Sequence, residues 1–258
     1  MTRTERPRVK VLAFGFWVLG LWCGSLVLLQ AQVGGPPRAG FDTALLQLFG
    51  AHKAFSAQGE LRVLDAQQQE KVVLPMEFGM RDGKFRTEVD LTRMRGSQAN
   101  PEQMAMLKQM GMERIVSITR PDIGSLHLVF PSVRATVKLE MPPEDRAALE
   151  KPATLERKKV GEETLDGHRC QKEQVTLTTP QGRKIEVTVW TASDLNGFPL
   201  QIQTTEKGDT VTFRYRNVKF TAPGQELFEP PTGYTAYSSM EAFTAGMMQR
   251  LMQESTRR

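Results

Sequence analysis

The period of hydrophobic residues changes along the chain, and each change predicts a different element. Residues 41–52 repeat apolar side chains every three or four positions, which predicts a helix. From Phe55 onward the period is two, which predicts strands. Two such segments flank Asp82-Gly83, a dipeptide that favours a tight hairpin because both turn positions accept a positive φ.

The remaining period-two segments predict a meandering antiparallel sheet. Polar turns separate them at intervals of about 8–15 residues, a spacing typical of antiparallel strands rather than of βαβ units. The predicted strands are Met112–Thr119, Ser125–Phe130, Val133–Leu139, Thr154–Glu162, His168–Thr178, Lys184–Trp190, Pro199–Thr205 and Thr210–Val218.

Short helices are predicted between these strands and at the C-terminus. One begins at Pro101 and ends at Gly111, a second begins at Pro142, and an amphipathic helix spans 238–253 with Ser238 and Glu241 as its capping box. The predicted fold class is mainly β (α+β): a large curved antiparallel sheet or half-open β-barrel, with helices covering its concave face.

A basic head followed by an uncharged run marks the N-terminus as an export signal. Four basic residues lie in the first ten positions, and the run over 11–29 is followed by Gly34-Gly35-Pro36-Pro37. The run almost reaches the roughly 20 residues that span a bilayer, so it predicts either a cleaved signal peptide over 1–32 or an uncleaved membrane anchor. The remainder, 33–258, is predicted to be one periplasmic or otherwise extracytoplasmic domain.

Charge and cysteine content narrow the class of protein. The formal net charge is +5, and it falls to +2 when residues 1–32, with four basic side chains and one acidic one, are removed. No basic stripe interleaved with aromatic residues remains, so nucleic acid is not a predicted partner. Cys170 is the only cysteine beyond the N-terminal segment, which excludes a disulfide within the domain.

No catalytic or metal-binding motif emerges from the pattern. The chain lacks a Gly-x-Ser-x-Gly elbow, a phosphate loop and a His-Glu-x-x-His helix. His52, His127 and His168 are too far apart in sequence to form a metal motif, and Cys170 is interpreted as a small buried side chain. We therefore expect a protein that is not an enzyme and needs no cofactor.

Three ordered segments of turns and strands resemble a known group. They are Met80–Asp90, Ile118–Asp122 with Leu128–Pro131, and Val160–Cys170 with Gly197–Leu200 behind it. In these residues the chain resembles an exported bacterial family similar to the LolA/LolB outer-membrane lipoprotein carrier superfamily, over about residues 50–235. The resemblance implies a half-open, LolA-like β-barrel that is capped by helices and accepts acyl chains inside.

Methionines crowd two of the predicted helices, and their role has three interpretations. Methionine is unbranched and polarizable, so these side chains either fill the core or form a deformable lid that contacts lipid. A Cu(I) site is the third interpretation, because thioethers bind that ion. With aromatic and apolar strand residues they give the predicted ligand-binding set: Phe78, Phe85, Val89, Met104, Met106, Leu107, Met110, Trp190, Phe243, Met247 and Met248.

The function predicted from the sequence is the transfer of a lipid whose acyl chain is buried inside the protein. A periplasmic, non-enzymatic binding protein would hold a lipid or the acyl chain of a lipoprotein in a hydrophobic cavity between sheet and helical lid. Its contact with the membrane would be transient, or would run through an uncleaved N-terminal segment. The alternative is an envelope sensor or scaffold of the same fold that binds another envelope protein.

Overall fold

The alternating segments form a single twelve-stranded sheet in the part of the chain that the structure describes. The structure is a computed structural model, and it describes residues 43–143, 145–146 and 151–255. The predicted signal segment 1–32 and Phe41 lie outside these residues, as do residue 144 and residues 147–150 of the helix predicted after Pro142. The domain boundary near residue 32 therefore stays a prediction.

The strands follow one another in a meander with open ends. The order across the sheet is β12-β6-β5-β4-β3-β2-β1-β11-β10-β9-β8-β7, so the sheet is curved but does not close into a barrel. All neighbours are antiparallel except β12 and β6. The bounds are β1 (Ala54–Leu64), β2 (Glu70–Arg81), β3 (Lys84–Asp90), β4 (Arg114–Arg120), β5 (Ser125–Phe130), β6 (Ala135–Glu140), β7 (Thr154–Leu165), β8 (His168–Thr178), β9 (Lys184–Ala192), β10 (Phe198–Glu206), β11 (Asp209–Lys219) and β12 (Thr235–Tyr237).

Local turn chemistry explains where several strands reverse. Asp82 and Gly83 join β2 to β3 with φ values of 50° and 76°, which confirms the predicted hairpin. Asp166 and Gly167 form the same kind of turn between β7 and β8, with φ values of 49° and 87°. A side chain other than glycine, asparagine or aspartate is strained at such positions, so the turn residues fix the register of the paired strands.

Among the helices of the described residues are α1 (Pro101–Gln109), α2 (Met240–Ser255) and a 3₁₀ helix over Thr43–Phe49. We call the face that carries Phe55 and Phe78 the covered face, because Phe49 of the 3₁₀ helix packs on it. The C-terminal helix α2 packs on the same face, where its Phe243 ring stacks on Phe130 at 4.3 Å between centroids. The predicted fold class is thus confirmed.

Most strand boundaries differ from the prediction by one to three residues, and three further differences concern two helices and an edge strand. The helix predicted over 41–52 is a 3₁₀ helix that ends at Phe49. The C-terminal helix runs from Met240 to Ser255 instead of 238–253, and its N-terminal Ala242 amide donates to the hydroxyl of Ser239, not Ser238. Strand β12 was not predicted, since three residues are too few to show a period.

Residues 220–234, which we call the strap, connect β11 to β12 across the opposite face of the sheet. The Arg81 guanidinium donates to the Pro223 carbonyl at 2.6 Å near its start. Phe228 is fully buried in an apolar cluster that includes Val116, Ile118 and Val129. Because these three residues alternate with covered-face residues along β4 and β5, the strap closes that part of the opposite face.

Candidate functional site

A pocket of about 550 Å³ opens on the covered face, between the end of the 3₁₀ helix with the residues that follow it and strands β7–β9. Its size falls within the roughly 300–1,000 Å³ of pockets that hold small ligands. One wall is a continuous piece of chain, Leu48–His52. The other wall is formed by strands β7, β8 and β9 and by the turn before β10. Its lining residues are Arg157, Gln171, Glu173 and Thr191 on the strands and Asn196 and Gly197 in the turn.

The first wall is apolar and rigidly held. Leu48 and Phe49 are buried, and the Phe49 ring lies 5.0 Å from Phe55 and 5.7 Å from Tyr215, between ring centroids. Aromatic pairs at such distances add to the stabilisation from burial. The strands beneath therefore fix the position of Phe49, which lines the pocket with about 1% of its surface exposed.

The second wall is polar and carries one ion pair. Arg157 of β7 donates through Nη1 to Glu173 Oε2 at 2.9 Å, and Gln171 Nε2 donates to Glu173 Oε1 at 3.1 Å. Only 11% of the Glu173 side chain is exposed, against 32% for Arg157. Both carboxylate oxygens thus have donors, which a largely buried charge requires. The hydroxyl of Thr191, opposite Gln171 in the register, donates to the Gln171 carbonyl at 3.4 Å.

His52 links the two walls at the rim. Its Nε2 lies 3.2 Å from the Asn196 carbonyl, and its ring stacks on Phe220 at 5.0 Å between centroids. Asn196 and Gly197 both adopt positive φ, so their turn carries the carbonyl toward the pocket. The contact joins residues 144 positions apart and fixes the mouth of the pocket.

A second group of charges lies under the strap, away from the pocket. Arg120 is almost buried and pairs with Asp122 at 2.7 Å and also with Glu229 of the strap. Its hydrogen bond lowers the pKa of Asp122 below the usual value and raises that of Arg120. His127 is buried nearby, with Nε2 3.1 Å from the Ser125 hydroxyl. Burial lowers the pKa of His127, and the positive charges of Lys138 and Arg120 lower it further.

The surroundings of Cys170 and His168 do not favour a catalytic role for either side chain. Cys170 is free and buried, and desolvation raises its pKa, so the thiolate that a nucleophile requires is disfavoured. His168 Nδ1 lies 2.7 Å from an Asp194 carboxylate oxygen on the surface. Within the described ranges no cluster of three or more His, Cys, Asp or Glu side chains could hold a metal ion.

The aromatic residues predicted to bind a ligand lie in two different places. Phe78 and Phe85 are buried in the covered-face core, and the space over Phe78 is occupied by Phe49 at 5.9 Å between ring centroids. Trp190 alternates with Val189 along β9, so its ring lies on the other side of that strand. There its indole N–H donates to Glu163 at 2.8 Å. Val89 is half-buried on β3.

The predicted residues of the two helices are accessible on α1 and mostly buried on α2. Helix α1 buries none of its residues, so Met104, Met106 and Leu107 stay partly or largely accessible. Met110, just after α1, is buried. Phe243 and Met247 are buried on α2, with Met248 half-buried. None of the eleven predicted residues lines the pocket, and their part in binding stays a prediction.

The residues that do line the pocket have a weak signal in the sequence. Along β8 one face carries Gln171, Glu173, Val175 and Leu177, so two polar residues continue an apolar face. Such a break marks a place where polar side chains turn toward the core. Which strand faces Arg157 and the Leu48–His52 segment depends on long-range pairing, and no local pattern contains that information.

The described part of the chain contains no helix with the length and apolar content to cross a membrane. No family model matches the chain. No curated protein matches it either.

Solved structures similar to this chain were found at low sequence identity. A LolA superfamily protein from Nitrosomonas europaea is 10% identical with a TM-score of 0.35, covering 73% of this chain and 95% of that one. The lipoprotein LppX from Mycobacterium tuberculosis is 10% identical with a TM-score of 0.37, covering 68% and 91%. MucB in its complex with MucA from Pseudomonas aeruginosa is 14% identical with a TM-score of 0.37, covering 77% and 64%.

Proposed function

We propose that this protein is a non-enzymatic binding protein of the cell envelope that holds an amphiphile, a lipid or the acyl chain of a lipoprotein, in the covered-face pocket. The observation that supports the proposal is the chemical difference between the two walls. The largely buried side chains of Leu48 and Phe49 line one side of this space, and Arg157, Glu173 and Gln171 line the other. An acyl chain with a polar head has the same division.

Burial of the chain would provide the affinity. Each methylene group that leaves water for an apolar surface contributes about 0.8 kcal/mol. The apolar wall would take the first part of the chain, and the polar wall would keep the head in hydrogen-bonding contact. Export by the N-terminal segment is part of the proposal, because a carrier of envelope lipid works outside the cytoplasm.

A substitution that fills the pocket tests this assignment. Ala51 is exposed and lines the pocket, so Ala51→Trp adds a large side chain without opening a cavity in the core. We expect it to weaken binding of the uncharged fluorophore 1-N-phenylnaphthylamine at least tenfold. Ala66→Trp is the matched control, since Ala66 is also exposed but lies on the β1–β2 turn, outside the pocket lining.

The result has two contrary outcomes. If the fluorophore fails to bind the wild-type chain, or Ala51→Trp binds it as well as Ala66→Trp does, the pocket is not a binding site for amphiphiles. Native mass spectrometry of protein purified without detergent gives the second measurement. A bound mass in the lipid range agrees with the proposal, whereas a ligand-free chain that co-purifies with another envelope protein favours the scaffold function instead.

A further inference from the structure

The opposite charges that line the pocket are paired with each other, which bears on the charge of the ligand that can bind there. The lining contains one carboxylate, Glu173, and one guanidinium, Arg157, joined at 2.9 Å. The cation opposite Glu173 in the register, Lys159, is paired with Glu162 at 2.7 Å. Among the described residues of the lining, His52 is the only other titratable side chain. The polar wall thus presents hydrogen-bonding groups with no net charge around neutral pH.

An anionic head group would meet an unfavourable arrangement at this wall. To reach the Arg157 guanidinium, a carboxylate or phosphate must lie beside Glu173, whose side chain is only 11% exposed. Two adjacent negative charges repel each other, and the repulsion is stronger beside a largely buried carboxylate than in bulk water. If the ligand instead displaced Glu173 from Arg157, a nearly buried carboxylate would lose its counter-charge.

An uncharged head that both donates and accepts hydrogen bonds meets a better arrangement. The Arg157 guanidinium has five N–H donors, and one of them is used by Glu173. The Gln171 amide donates to Glu173 through its nitrogen, which leaves its oxygen as an acceptor. The Thr191 hydroxyl donates to a backbone carbonyl and keeps its lone pairs for a ligand.

Resting on the proposed function, we infer that the pocket selects amphiphiles whose head group is uncharged and rich in hydroxyl or amide groups over anionic amphiphiles with the same acyl chain. The Arg157–Glu173 pair is the device that sets this preference. It supplies donors to the head group while its carboxylate rejects a second negative charge.

Two probes with one acyl chain test the inference. Dodecanoate and 1-monododecanoylglycerol would each displace 1-N-phenylnaphthylamine from the full-length chain at about pH 8, where histidine side chains are ordinarily neutral. We expect the glyceride to bind at least tenfold more tightly than the fatty acid. Equal binding, or tighter binding of dodecanoate, would overturn the inference.

Glu173→Gln provides the variant, because it keeps the shape and removes the negative charge. Dodecanoate affinity should rise at least tenfold, and the preference for the glyceride over dodecanoate should fall accordingly. Glu163→Gln is the matched control, since Glu163 is also paired, with Lys172 and the Trp190 indole, but is absent from the pocket lining. An unchanged dodecanoate affinity in Glu173→Gln would also overturn the inference.

The wild-type comparison decides the matter even if Glu173→Gln does not fold. Arg157→Gln gives a further readout, because it leaves Glu173 without its cation and should weaken dodecanoate binding further. If neither lipid displaces the fluorophore, the proposed function itself fails and the inference falls with it. If both lipids displace it equally, the carrier function stands and the head-group preference alone is wrong.

Discussion

Phe228→Ala is the substitution for which the structure predicts the largest loss of stability under the strap. The Phe228 ring is fully buried and packs with Val116, Ile118 and Val129 on the opposite face of the sheet. Truncating a buried phenylalanine to alanine costs about 3–5 kcal/mol, from lost transfer free energy and from the cavity left behind. In a domain of this size, that cost corresponds to a fall in melting temperature of about 6–20 °C.

The neighbouring residue provides the control. Leu227 belongs to the same 3₁₀ turn, but its side chain is 43% exposed. Leu227→Ala removes a similar apolar group without leaving a buried cavity, so its cost should stay within about 0.5 kcal/mol. The pair therefore separates burial of the strap residue from any general effect of shortening an apolar side chain there.

Urea unfolding followed by tryptophan fluorescence measures both variants. Trp190 is buried beneath the Lys172 ammonium, 4.9 Å from the ring centroid, so its emission should change on unfolding. The free energy of unfolding should fall by about 3 kcal/mol or more for Phe228→Ala. A loss below about 1 kcal/mol, or equal losses for the two variants, would show that the strap does not pack as described.

Two further predictions concern pH and the methionine helix. The pKa of His127 is below the ordinary 6.5 because the ring is buried near Lys138 and Arg120. As pH drops below about 6.5, the unfolded chain therefore binds a proton at this residue before the folded chain does. The free energy of unfolding consequently falls with pH in this range. His127→Gln should make the decline in urea midpoint between about pH 7 and pH 5 shallower than in the wild type, and parallel curves would contradict this. Since α1 buries no residue, Met104→Ser with Met106→Ser should change the free energy of unfolding by less than about 0.5 kcal/mol. A loss of several kcal/mol would mean that these methionines fill the core.

Local signals account for the strands and turns that the sequence predicts well. β5 and β8 match the prediction residue for residue, because a clear period of two is bounded by turn residues on both sides. The Asp82-Gly83 hairpin was predicted because few residues accept both positive φ values. Such information lies within a few neighbouring positions, so one sequence is enough to reveal it.

Long-range pairing accounts for what the sequence does not reveal. β1 pairs with β11, some 150 residues later in the chain, and this pairing joins the two halves of the sheet. The position of Arg157 and Glu173 opposite Leu48 follows from that assembly and not from any spacing. The methionine pattern drew attention to α1, whereas the pocket lies beside the 3₁₀ helix, whose Phe49 fills the place expected for the ligand.

Photo-crosslinking is the most direct test of where an amphiphile binds. A monoacylglycerol with a diazirine in its acyl chain would be irradiated with the full-length protein, and the modified peptides would be identified by mass spectrometry. Modification should concentrate in the peptide over 39–53, which contains the Leu48–His52 wall, and should be competed by unlabelled glyceride. Modification confined to peptides of α1 and α2, or no modification that unlabelled lipid suppresses, would contradict the assignment of the pocket.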